Sequence, residues 1–239
     1  MSDLLDKVLD AHGGVERWNR FNTVKATIVS GGELWGIKGV VQDAMPREMT
    51  VSLHQQRASV TPFGNPDWRT AFRADYIAIE TTQGAIVRER LNPREAFAGH
   101  DMDTPWDPLH RAYFSGYAMW TYLTTPFFMS MPGFKVTEIA PWQEGSEAWG
   151  GLRVEFADDI ASHSRLQDFY FGDDGLLRRH DYHVDIAGGF AAAQYVSEYV
   201  EAQGLRFPTR RRAYLRDEKR QPLRERLMVS IDLSDFLLS

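Results

Sequence analysis

The 239-residue sequence predicts an α+β fold: a single large antiparallel sheet, curved into a half-barrel and wrapped on a central buried helix, with further helices at the N-terminus. Three observations carry this expectation. Apolar residues alternate with period two over residues 23–91 and again beyond Gly133, the pattern of half-buried strands. Gly, Pro and Asn punctuate those runs, and no helix-length segment separates them, which favours antiparallel hairpins. Between the two strand regions, residues 107–124 are apolar nearly all round at helical spacing, the mark of a buried helix.

The elements follow in chain order. Ser2 is placed to cap a short helix reaching Asp10, with Asp3 and Asp6 in its first turn. Leu4, Leu5, Val8 and Leu9 form its apolar stripe, and Gly13-Gly14 ends it. His12, near that end, reads as a capping cation. A second helical turn carries Val15, Trp18 and Phe21. Strands are expected over 24–30, 34–44, 48–54, 58–62, 76–82 and 86–91, separated by Gly31-Gly32, Pro46, Gly64-Asn65-Pro66 and Gly84. Residues 93–107 read as a loop. Asp107-Pro108 is a helix start, an N-cap followed by proline at the first helical position. Leu109, Ala112, Tyr113, Gly116, Tyr117, Trp120 and Leu123 then share one face, and only His110 and Arg111 break the apolar character. Strands resume over 135–142, 148–156, 165–171, 176–185, 192–202, 209–216 and 223–233. So many strands must curl or close, and a curled sheet around a helix makes a natural cavity. No linker, repeat or low-complexity tract divides the chain, so residues 1–239 read as a single domain.

Composition narrows the function classes. Apolar residues make up 43% and charged residues 25%, as in soluble globular proteins. A net charge of −6 argues against a nucleic-acid partner. The one basic cluster, Arg210-Arg211-Arg212, reads as a solvated strand face. The absence of cysteine excludes disulfides, thiolate catalysis, Cys-ligated zinc, iron–sulfur clusters and Cys lipidation. The uncharged stretch 112–134 is interrupted by Pro126 and Pro132, so stable membrane insertion is not expected. An exposed patch around 126–132 would instead suit a protein partner. The N-terminus lacks the basic–apolar–small pattern of an export signal, so the expected location is cytoplasmic.

The candidate site lies on the hairpin SRLQDFYFGDDGLLRRHDYHVD, residues 164–185. With Gly172-Asp173-Asp174-Gly175 as a four-residue turn, Arg165, Gln167, Phe169, Phe171, Leu176, Arg178, His180, Tyr182 and Val184 share the inner face. The outer face, with Asp168, Tyr170, Arg179 and Asp181, carries both signs of charge and reads as the solvent face. Inward arginines need anionic partners: Glu201, Asp107 or an anionic ligand. Alternatively they reach the sheet edge and snorkel into water. His180 with Gln167 and Tyr182 resembles an acid–base site. His180 and His183 point to opposite faces, and His163 lies roughly 13 Å from His180 along the strands. The group His100, Asp101, Asp103, Asp107 and His110 matches no ligand spacing, so no metal is expected. No glycine-rich phosphate loop or nucleophile motif is present, so no cofactor is expected.

Several segments carry a resemblance. DAHGGVERW (10–18), NPREAFAGH (92–100), WDPLHRAYFSGYAMWTYLTTPF (106–127), HSRLQDFYFGDDGLLRRHDY (163–182) and GLRFPTRRR (204–212) resemble a group of uncharacterised bacterial proteins over nearly the whole chain. More distantly, the layout is similar to the LolA/LolB and LppX half-barrel class, which implies a curved sheet with helices on its concave side and carriage of lipids or lipoproteins.

The expected function is binding of a small, largely hydrophobic or amphipathic molecule with a polar or anionic end. Its body would lie against Tyr113, Tyr117, Trp120, Phe169 and Tyr182. Its head would meet Arg165, Gln167, Arg178 and His180, with His110 approaching from the central helix. The alternative is a cofactor-independent lyase, isomerase or hydrolase in the same cavity, with His180 and Tyr182 as catalytic residues.

Overall fold

The computed structural model describes residues 3–40 and 44–239. Helix α1 (Asp3–Ala11) buries Leu5, Val8 and Leu9, and α2 (Val15–Trp18) buries Trp18. Ser2, expected as the cap of α1, lies outside the described residues. His12 is buried beside α1 with Nδ1 2.8 Å from the Val8 carbonyl oxygen, and burial pushes its imidazole down to about 4. It is therefore a neutral core group and not the expected capping cation.

Strands β1 (Thr23–Gly31), β2 (Arg47–Ser52), β3 (Arg57–Thr61), β4 (Trp68–Arg73), β5 (Tyr76–Thr81) and β6 (Ile86–Leu91) form the first strand region. Two details differ from expectation. Residues 41–43 lie outside the described residues, and the strand expected over 34–44 is not formed where it should begin: Leu34–Ile37 is a single helical turn, α3. Its Leu34 and Trp35 are buried in succession, and the Trp35 Nε1–H donates to the Gly31 carbonyl 3.0 Å away. Strand β4 was not anticipated, although Thr70 and Phe72 alternate inward along it.

Helix α4 (Pro108–Thr124) begins as expected. The Asp107 carboxylate accepts from the His110 backbone N–H at 2.8 Å, and His110 Nδ1 accepts from the Asp107 N–H at 3.1 Å. That is a capping box with histidine in the place of the usual Glu or Gln. Every residue of α4 except Pro108 and Ser115 is buried, and the helix packs along β2 to β6. Phe127, Phe128 and Met129 follow in a buried 3₁₀ turn, so the apolar side chains of the exposed patch expected around 126–132 belong to the core, and only Ser130 and Pro132 stay exposed there. Among the described residues no helix is long and apolar enough to cross a membrane.

Strands β7 (Phe134–Glu144), β8 (Glu147–Phe156), β9 (Leu166–Phe171), β10 (Leu177–Val184), β11 (Phe190–Ala202), β12 (Leu205–Arg216) and β13 (Pro222–Leu238) complete one antiparallel sheet. Its order is β6-β5-β4-β3-β2-β1-β13-β12-β11-β10-β9-β8-β7. Pairing of β1 with β13, from Val24 opposite Leu238 to Gly31 opposite Ser230, joins the halves. The sheet is curved and unclosed, with β6 and β7 as edges and α4 in its concave side: the expected α+β half-barrel.

Candidate functional site

The β9–β10 hairpin sets the site, and its register differs from the expected one. Phe171 faces Leu177, but Tyr170 faces Arg179 and Phe169 faces His180. Arg178 is the one extra residue of a bulge. Its side chain turns back to Asp174, with Nη2 to Oδ2 at 2.5 Å. Arg165 precedes β9, is 63% exposed, and pairs with Glu155 at 2.7 Å and Asp158 at 3.3 Å. Neither arginine enters the interior. The partners considered for them are engaged elsewhere, Asp107 with Arg90 and Glu201 with Arg206.

Gln167, Phe169, His180 and Tyr182 do face inward, and all are buried. Tyr117 and Tyr122 of α4 and His163 of the β8–β9 connection meet them. His163 Nε2 lies 2.7 Å from the Tyr122 hydroxyl and Nδ1 3.2 Å from that of Tyr117. The Tyr122 and Tyr182 hydroxyls are 3.1 Å apart. His163 stacks on Tyr182 with ring centres 4.1 Å apart, and His180 packs on the same ring at 4.6 Å. The separation of His163 from His180 expected along the strands is thus bridged by one tyrosine. On the next strands, Gln194 and Arg211 close the group: Arg211 donates to Gln194 Oε1 at 2.9 Å and to the Tyr122 carbonyl at 2.7 Å.

Burial sets the charge states. It holds the His163 imidazole at about 3 and the His180 imidazole well below its usual range. The Tyr117 and Tyr182 phenols are pushed well up for the same reason. Near neutral pH the cluster is therefore uncharged except for the Arg211 guanidinium, which stays protonated even though burial lowers it. Gln167 Nε2 donates to the Ser164 carbonyl, so its Oε1 accepts from His180 Nε2–H at 2.7 Å. A substrate reaches His180 or Tyr182 only by opening the core.

The other anticipated residues lie apart. His110 caps α4. Trp120 is buried and donates to the Ser52 carbonyl at 3.0 Å. Tyr113 and Arg165 line a groove of about 390 Å³ together with Arg94, Asp158 and Asp185, so these two anticipated residues do meet, away from the His180 cluster. The expected solvent face of the hairpin is buried: Arg179 is held by Asp181 at 2.6 and 2.9 Å, and Arg220 bridges Asp168 and Asp181 at 2.9 and 3.0 Å. No group of three His, Asp or Glu side chains among the described residues is arranged around a common metal position.

The larger open space was not anticipated. A cleft of about 720 Å³ with mostly apolar walls lies where α4 begins, between Val40, Met45, Phe63, Pro66 and Trp106. Arg111, over the rings of Trp35 and Phe63 at 5.4 and 5.2 Å, supplies its cation. Loops build this cleft, and the period of strands or helices carries no signal for it.

No protein-family model and no curated protein matches the sequence. Solved structures do match in fold. A LolA superfamily protein from Nitrosomonas europaea superposes with a TM-score of 0.55 at 10% identity, over 98% of this chain and 92% of that one. A DUF1329 family protein from Desulfovibrio piger gives 0.54 at 10% identity, over 99% and 92%. A domain from Vibrio parahaemolyticus, described as an outer-membrane lipoprotein-sorting protein, gives 0.54 at 9% identity, over 98% and 93%. The expected cytoplasmic location is contradicted by this likeness, since one of the neighbours is described as an outer-membrane lipoprotein-sorting protein. The first residues of the sequence are no guide to location against that likeness. What the superpositions establish directly is architecture: the chain has the LolA-like half-barrel fold.

Proposed function

We propose that this half-barrel binds a small, largely hydrophobic molecule with a polar or anionic end, and that the molecule enters at the cleft beside the start of α4. The observation that carries the reading is the cleft itself. Its volume, about 720 Å³, falls in the range of small-molecule sites, which are mostly apolar with few polar groups. Val40, Phe63 and Trp106 supply apolar walls and Arg111 a cation. The fold neighbours add support, since one is described as sorting lipoproteins, a cargo that is itself amphipathic.

Two measurements test this. The native mass of freshly purified protein is compared with its denatured mass, and a small added mass released on denaturation is expected. Purified protein is also titrated with laurate and with dodecanol, two probes of this class. Saturable one-site binding is expected, weakened by about tenfold or more in Val40→Asp, which places a charge on an apolar wall. Absence of saturable binding by both probes, with no added mass, overturns the reading.

A further inference from the structure

On the convex side of the sheet, β2 to β5 carry a groove of about 290 Å³ whose walls include Arg57, Arg69 and Arg73. Strand register builds it. Ala58, Val60, Thr70 and Phe72 are buried towards α4, so the residues between them face outward. Arg57 of β3 stands directly opposite Arg73 of β4, and Arg73 opposite Tyr76 of β5. Two residues further along the strands the row is short: Thr50 is opposite Ser59, and Ala71 opposite Ala78. Two residues beyond that, Arg69 is opposite Glu80. A row of small side chains thus lies between two rows of long ones, which makes a depression. The strands β3 and β4 also part here: their backbone pairing ends at Ala58 opposite Phe72, and the Val60 N–H donates instead to the Thr70 hydroxyl at 3.0 Å.

The three cations are unequally neutralised. Arg69 Nε donates to Glu80 at 2.7 Å, an ion pair closed within its own row. Arg73 lies over the Tyr76 ring, with its guanidinium carbon 4.7 Å from the ring centre, and reaches Asp75 only at 3.5 Å with both side chains half-exposed or more. Arg57 has no carboxylate within ion-pair distance among the described residues. Like charges placed directly opposite each other in a sheet destabilise it. The groove therefore holds two adjacent guanidinium groups in excess, over the Thr50 and Ser59 hydroxyls, in a chain whose net charge is −6.

We infer that this groove is a second ligand site, separate from the cleft, and that it takes a phosphate monoester held between Arg57 and Arg73. A guanidinium presents its N–H groups in a planar fork that matches phosphate oxygens. A carboxylate saturates one such fork, whereas the three free oxygens and nearly two charges of a phosphate monoester engage both. The bound phosphate also relieves the repulsion between the two arginines. The hydroxyls of the floor suit a hydroxylated body, and the volume leaves room for one. The same head group arrives either on a soluble ester or on phosphatidate in a membrane surface.

The test uses the full-length protein. It is titrated calorimetrically with glycerol 3-phosphate and, in parallel, with acetate, and it is sedimented with phosphatidylcholine vesicles with and without phosphatidate. Saturable one-site binding of glycerol 3-phosphate is expected, with acetate weaker by about tenfold or more. Arg57→Gln and Arg73→Gln should each weaken the phosphate ester by about tenfold or more, the scale of a hydrogen bond to a charged group. Arg210→Gln, which changes an arginine of β12 as exposed as Arg73, should leave it unchanged. Both groove variants are expected to melt no lower than wild type, since each removes one of two opposed like charges, and the ester should raise the melting temperature of wild type but not of Arg57→Gln. Sedimentation with phosphatidate vesicles that is lost in Arg57→Gln assigns the head group to a lipid; binding of the free ester without sedimentation assigns it to a soluble ligand. Absence of both saturable ester binding and Arg57-dependent sedimentation overturns the site. So does an equal loss in Arg210→Gln, which would mean diffuse attraction by charge, and acetate binding as tightly as the ester removes the phosphate class. Laurate and dodecanol should bind Arg57→Gln as they bind wild type, so the fate of this groove and that of the cleft are read separately.

Discussion

Gly116 occupies the middle of α4, where glycine costs about 1 kcal/mol relative to alanine. Its place is explained by β4: a Cβ at this position would overlap the Phe72 ring. Gly116→Ala is therefore expected to destabilise the protein by about 1–3 kcal/mol despite the better helix propensity, because α4 and β4 must move apart. Urea unfolding of the purified variant reads this directly, and a gain in stability would show that the contact is slack. The same scale shows what the sequence could reveal about the candidate site. Gln167, Phe169, His180 and Tyr182 share a buried face as anticipated, since alternation within a strand survives errors of register. Arg178 does not, because a bulge places it outside the alternation, and bulges leave little trace in sequence. Arg211 was read with Arg210 and Arg212 as solvated. Parity held the contrary signal, since the middle residue of a charged triplet in a strand faces away from its neighbours, here towards the side of buried Ala213.

At the scale of elements, the turn between β12 and β13 is held onto the outer face of the β9–β10 hairpin by charge. Arg220 reaches Asp168 and Asp181, and Arg179 donates to the Arg220 carbonyl at 2.6 Å. Trp142 of β7 lies over the Arg179 guanidinium at 3.9 Å. The sheet therefore buries charge on its convex side, which binary patterning reads as solvent-facing. Removing one partner of such a network is more damaging than its surface location suggests. Asp181→Ala leaves the fully buried Arg179 without its bidentate carboxylate and is expected to cost about 3–5 kcal/mol. Arg220→Ala leaves Asp168 with Arg153 and Asp181 with Arg179, so about 1 kcal/mol or less is expected from that side chain, which is 34% exposed. Denaturant midpoints of the two variants check the ordering, and equal losses would mean that the turn, not the ion pair, holds this face. Among the elements themselves, the long strands and α4 were legible from period and capping. Strand β4 was hidden because a polar Thr70 stands at an inward position and an apolar Ala71 at an outward one, which blurs so short an alternation.

For the whole molecule, the half-barrel class followed from strand number and one all-apolar helix, whereas the pairing of β1 with β13 depends on contacts some 200 residues apart that no local pattern encodes. The packed interior has a thermodynamic consequence that the composition alone does not show. Four histidines are buried among the described residues and desolvation lowers all of them; three lie deepest: His12 at about 4, His163 at about 3, and His180 well below its usual range, with His110 shifted in the same direction. In the unfolded chain each regains a value near 6.5. Below that pH the unfolded state binds more protons than the folded one, so stability is full above about 6.5 and falls as pH drops towards 4. Each of the three deepest contributes roughly 1.4 kcal/mol per pH unit in that window, so they give a slope of about 4 kcal/mol per unit near pH 5, to which the lowered His110 and His100 add. The raised Asp185 carboxyl acts in the opposite sense, through its own titration, while the lowered Asp107 and Asp174 carboxyls add to the loss only below about pH 4. Urea unfolding at pH 7, 6 and 5 should show the steep decline, and His163→Gln should reduce its slope by about one third whatever that variant does to absolute stability. A flat profile between pH 7 and 5 would mean that the interior admits protons and water without unfolding. The Tyr117–His163–Tyr182 core would then open on its own, without global unfolding of the half-barrel.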